Sequence, residues 1–129
     1  MDTGPSHEQL IQSLTDEYRE LFARSRQGVY VYLDDVHKVC NEKFAALLGY
    51  PSPKEWAAVK ANFPDAFVAD DSQGVLVTAY RKAIEDCIGS NIRVNWKKKS
   101  GGTVEASVIL VPIVHHGHLL ALHFVTERG

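Results

Sequence analysis

The residues best suited to chemistry are the histidines, two cysteines and one acidic pair. His115, His116 and His118 fall within one short segment, and three imidazoles so close in sequence have the donor chemistry for Zn²⁺ or Ni²⁺. A hairpin turn rarely aims three neighbours at one point, so the expectation there is an exposed polar turn. Cys40 and Cys87 form no CxxC spacing, which argues against a structural zinc site or a disulfide framework. Both are read as buried, inert thiols. Asp34-Asp35 followed by His37, together with His123, could serve an acid–base enzyme of isomerase or dehydratase type. Against this, Asp-Asp is ordinary turn chemistry, and His123 is expected on the outer face of its strand. No nucleophile–base pair, phosphate-binding glycine loop or metal motif appears, so no catalytic residue is assigned and a non-enzymatic module is expected.

Around these residues lies a chain of 129 residues with 14 Lys+Arg against 16 Asp+Glu. One domain with a sizeable core is expected at this length. A formal charge of −2 gives no electrostatic footprint for nucleic acid. No apolar run approaches the ~20 residues of a membrane helix, and Met1 to Pro5 lack the pattern of a signal peptide. A cytoplasmic protein, making no contact with membrane or nucleic acid, is the expectation.

The elements that must position the candidates follow from periodicity. Residues 6–26 read as one amphipathic helix capped by Ser6 and Gln9, with Leu10, Leu14, Tyr18, Leu21 and Phe22 on one stripe. A hairpin follows, with Val29, Val31 and Leu33 alternating and Asp34-Asp35 turning into Val36–Cys40. Asn41 caps a helix containing Phe44, Leu47 and Leu48. Ser52 and Pro53 open another short helix, which Asn62-Phe63-Pro64-Asp65 breaks. A long helix starts near Asp70 and ends at Gly89, and strands at Ser90–Lys97, Thr103–Val114 and His118–Thr126 complete the chain. The order predicts an α+β fold with an antiparallel sheet.

These residues resemble a PAS domain, a small sensory module of signalling proteins, over Gly28 to Arg128. The resemblance lies in Gly28–Asp34 with Val39-Cys40-Asn41 as the opening hairpin, Phe44 and Leu48-Gly49-Tyr50, Ala69-Asp70-Asp71 before the long helix, and Lys99-Ser100-Gly101-Gly102 at a turn. Val111-Pro112-Ile113 and Gly117 fit the last hairpin. Phe124 stands where many members carry the Asp of a terminal Asp-x-Thr motif, ahead of Thr126. The resemblance implies a five-stranded antiparallel sheet with helices on one face, a sensor domain at 28–128 and an output domain beyond Gly129; residues 1–27, with the amphipathic helix read from its apolar stripe, are expected to be a docking or dimerisation segment ahead of it. The resemblance also implies a signal-transduction role, as in two-component systems.

The resemblance raises the question of a cofactor and names none. The light-sensing branch carries a reactive Cys in an Asn-Cys-Arg-Phe-Leu-Gln type motif and a Gln on the last strand. This chain lacks the motif and has Leu122 at the Gln position, which argues against covalent flavin. The long helix holds no His, which argues against haem. If Leu122 faces inward, Leu120 and Phe124 share its face, opposite Val75, Ala79 and Ile84. Such a lining suits a small apolar or aromatic ligand oriented by Tyr30, Tyr32, Tyr80 or Asn95, or a core that fills itself. Leu119, Ala121, His123 and Val125 would then make an apolar outer face for the first helix to cover, and a homodimer built on that helix and the outer sheet is expected.

Overall fold

Ser6 opens the first helix through a reciprocal cap. Its hydroxyl accepts the Gln9 amide at 3.2 Å, while the Gln9 side chain accepts the Ser6 amide at 2.8 Å. The computed structural model describes residues 6–128; the expectations for Met1 to Pro5 and for an output domain past Gly129 lie outside them. The expected single helix is two, α1 (His7–Glu17) and α2 (Arg19–Arg24), interrupted at Tyr18. Periodicity does not see this break. The Tyr18 amide still donates to Leu14 and the Phe22 amide to Tyr18, so the apolar stripe continues across it.

Strands β1 (Gly28–Asp34) and β2 (His37–Cys40) form the expected hairpin. Asn41 ties it to α3 (Glu42–Leu47): its Oδ1 accepts from Val29 and Phe44 amides at 3.0 Å, and its Nδ2 donates to the Gln27 carbonyl. Ser52 caps α4 (Pro53–Ala57). At the expected break the structure instead has α5 (Phe63–Phe67), capped by Asn62 with a proline in its first turn. The same residues that end one helix start the next. The long helix α6 (Asp70–Asp86) begins with two acids at its positive end and stops at Cys87 in the left-handed region.

Strands β3 (Ser90–Lys97), β4 (Thr103–His115) and β5 (His118–Glu127) complete an antiparallel sheet in the order β2-β1-β5-β4-β3. Helices α3 to α6 cover one face over a core of Tyr30, Phe44, Trp56, Phe67, Val94 and Trp96. The other face carries Val29, Val31, Leu120 and Leu122, and α1 lies on it through Leu14. The α+β architecture with an added N-terminal helix is therefore as expected.

The face assignment of β5 is reversed. Leu120, Leu122 and Phe124 point to α1 and α2, not to α6, and His123 and Val125 point into the main core. Every residue of β5 from Leu119 to Val125 but His123 is apolar, so its own alternation does not choose a face. Its partners do: Leu122 pairs with Val31, Phe124 with Val29 and His123 with Tyr30, and cross-strand partners share a face. A parity error of one moves the whole set across the sheet.

Candidate functional site

A cavity of about 290 Å³ opens between α5, α6 and the β1–β5 part of the sheet. Tyr30 and His123 form its floor, the two rings stacked with centroids 4.0 Å apart. Phe63 from α5 and Leu76 and Tyr80 from α6 form its walls, and Asn62, Val77 and Arg81 reach it from the surface side. The interior behind the floor is filled. Phe44 stacks on Tyr30 at 4.7 Å, and Trp96 meets Tyr30 edge-on at 5.6 Å, so open space remains only toward the mouth.

Three hydrogen bonds set the walls. The Tyr80 hydroxyl donates to the Tyr32 carbonyl at 3.1 Å, fixing α6 against β1. The Tyr32 hydroxyl donates to Asp35 at 3.0 Å, and the same carboxylate accepts the Phe63 amide at 2.9 Å, which pins the start of α5 to the hairpin. Lys38 supports the same region from below, donating to the carbonyls of Asp35, Ala57 and Val59.

His123 is 1% exposed, and burial depresses its pKa to about 3. It is a neutral imidazole whose Nδ1–H donates to the Tyr30 carbonyl at 3.3 Å, leaving Nε2 as an acceptor. Burial pushes Tyr80 up to about 12. It likewise raises Tyr30, and Tyr32 together with its bond to Asp35. All three phenols are protonated at neutral pH, so each offers an O–H and none a base.

Of the ten residues expected to line a pocket, Tyr30, Tyr32 and Tyr80 do so. Val75 and Ala79 border a separate groove against Ser90 and Ile92, and Ile84 is half-buried outside the cavity. Asn95 is a tether: its amide donates to the Ser72 hydroxyl at 2.9 Å and its side chain to Asp71 at 3.2 Å. Leu120, Leu122 and Phe124 lie across the sheet, for the parity reason given above. Sequence reasoning missed Phe63, Leu76, Arg81 and above all His123. The available signal was the pair Tyr30 and Tyr32, whose shared face His123 joins by pairing.

The other candidates also moved. His115 is buried, not an exposed turn residue, bonding Ser13 at 2.8 Å and Glu17 at 2.9 Å under α1. His116 and Gly117 form a two-residue turn with φ of 49° and 81°. Cys40 is buried and its thiol pushed up to about 12 by burial, whereas Cys87 is exposed, contrary to expectation, because the α6 cap turns it out. Neither cysteine lines the cavity, so a covalent flavin adduct has no thiol there.

No family model matches the sequence, and no curated protein matches it significantly. Solved structures do. A PAS domain from a two-component sensor histidine kinase superposes with TM-score 0.65 at 12% identity, covering 91% of this chain and 99% of that one. This is the PAS fold. The PAS domain of a Colwellia psychrerythraea protein gives TM-score 0.67 at 14% identity, over 89% of this chain and 97% of that one. The PAS domain, in complex with ethanol, of a LuxR-family transcriptional regulator from Burkholderia thailandensis gives 0.62 at 13%, over 85% and 96%. The PAS fold thus accounts for the five-stranded antiparallel sheet with helices packed on it. Among the described residues no helix is long and apolar enough to cross a membrane.

Proposed function

We propose that this chain is a PAS-type sensory module that takes a compact aromatic or apolar molecule into the cavity between α5, α6 and β1. The observation that carries the reading is the cavity floor: a neutral, buried His123 stacked on Tyr30, a surface suited to an uncharged ring. At about 290 Å³ the space sits at the lower limit of small-molecule sites. It suits one ring better than a macrocycle. Asn62 and Arg81 at the mouth would meet a polar or anionic substituent. General acid–base catalysis near neutral pH is poorly served, because His123 and the three tyrosines all titrate far from 7.

In this reading residues 1–27 are a docking segment and 28–128 the sensor. The ligand biases how the sheet sits against α1 and against an output domain beyond Gly129, by no more than its differential affinity for the two arrangements. Neighbours described as part of a sensor kinase and of a transcriptional regulator support such an arrangement, and a cytoplasmic setting fits it. A homodimer fits too. The outer sheet is only partly covered by α1, with Ile109 41% and Val111 37% exposed, and apolar strand surface of this kind favours association.

Native mass spectrometry of the purified protein tests both points. A dimer mass carrying a non-covalent small molecule is expected, with the molecule lost in Leu76→Trp, which fills the cavity. A ligand-free monomer whose melting temperature is unmoved by indole or benzoate would overturn the reading.

A further inference from the structure

Away from the cavity, three side chains meet where α1 joins the β1–β2 hairpin. His7 lies in the first turn of α1, Asp34 ends β1 and His37 starts β2. His7 Nδ1 is 2.5 Å from Asp34 Oδ2, and His37 Nδ1 is 2.9 Å from both carboxylate oxygens. One donor atom from each residue lies within 4.8 Å of the others. None of the three lines the cavity.

We propose that this cluster binds a divalent transition metal, Zn²⁺ foremost, through His7 Nδ1, Asp34 Oδ2 and His37 Nδ1, with water completing the shell. Two imidazoles and one carboxylate are a common borderline donor set for such ions. The hairpin prepares two of the ligands. The Val36 and His37 amides donate to Asp34 Oδ1 at 2.9 and 2.8 Å, which fixes the carboxylate and leaves Oδ2 facing the two rings. The β1–β2 register is irregular between Tyr32 and Asp34, next to this carboxylate. Tetrahedral ligands at about 2 Å from Zn²⁺ stand roughly 3.3 Å apart, so the two N···O contacts of 2.5 and 2.9 Å must open by less than about 1 Å, and any separation up to the 4.8 Å limit must close by about 1.5 Å at most. The half-exposed His7 ring has room to make that movement. On binding, each Nδ1 must be free of hydrogen: that hydrogen moves to Nε2 of the same ring, by way of solvent, so each ligand is the neutral Nε2–H tautomer and no net proton is lost from a neutral ring.

The consequence is mechanical. Two ligands belong to the sheet and one to α1, so the ion would staple the helix to the sheet face that Leu14 covers. Metal bound only in this arrangement favours the docked helix by mass action.

Calorimetric titration of metal-free full-length chain with ZnCl₂ tests the site, alongside amide hydrogen exchange of α1. One ion per chain is expected, with His7→Asn and His37→Asn each weakening binding by about tenfold or more. Both substitutions sit on partly exposed side chains. The double variant His116→Asn/His118→Asn should bind as the parent does. Zn²⁺ should slow exchange in α1 of the parent and leave the His37→Asn variant unchanged. Binding that survives both single substitutions, binding lost in the His116/His118 variant, or α1 exchange indifferent to Zn²⁺ would overturn the proposal.

Discussion

Replacing His123 by Phe should make the protein less sensitive to mild acid, an unusual outcome for removing a buried polar residue. His123 is held neutral by burial, with its pKa depressed from 6.5 to about 3. The unfolded chain protonates this imidazole below about 6.5, while the folded chain does so only near 3. The unfolded state therefore binds the extra proton, and stability falls as pH drops from about 6.5, levelling off below about 3. At about pH 5 the deficit from this one group is about 2 kcal/mol, and over the whole window about 5 kcal/mol. Phe preserves the stack between Tyr30 and Tyr80, whose centroids lie 4.0 and 6.2 Å from His123, and removes the titration. Urea unfolding followed by the buried Trp56 and Trp96, at about pH 7.5 and about pH 5, measures the effect as a double difference in which all other groups cancel. The parent should lose about 2 kcal/mol more than His123→Phe between the two conditions. Equal losses would show that His123 is hydrated or protonated in the fold, and the description of the cavity floor would fail with it.

Truncating Leu14 to Ala should cost roughly 2–4 kcal/mol of stability in the same assay, because the side chain is buried between α1 and the sheet; a cost under about 1 kcal/mol would mean that α1 is not docked there in solution. Gly28→Ala should lower the melting temperature, since a Cβ at that position would stand 3.1 Å from the Cα and Cβ of Phe44. The neighbour is helix backbone with little room to yield, and a loss of roughly 1–3 kcal/mol is expected.

Much of the architecture was legible in the chain. Caps at Ser6, Asn41 and Ser52 and turns at Gly101-Gly102 and Gly117 are local signals, and the hairpin turn expected at Asp34-Asp35 falls one residue on, at Asp35-Val36. The helix break at Tyr18 was not legible, because hydrogen bonding and the apolar stripe run through it. The pocket was legible only in its tyrosines. Alternation in β1 puts Tyr30 and Tyr32 on one face and Tyr80 is expected opposite them, but on α6 Val75 and Ala79 are expected where Leu76 lines the cavity.

The sequence by itself determined the order of the strands and of the main helices, and the antiparallel class, since these follow from caps, glycines and the change of period from helix to strand; the split at Tyr18 and the helix α5 did not follow from them. Only the tertiary structure decided which face of β5 looks inward. A strand apolar on both faces carries no parity of its own, and pairing with Tyr30 and Val31 supplied it. That one choice put His123 in the core and Leu122 under α1. It also took tertiary packing to bring His7 against Asp34 and His37, because nothing in their spacing shows that a helix start and a hairpin tip meet.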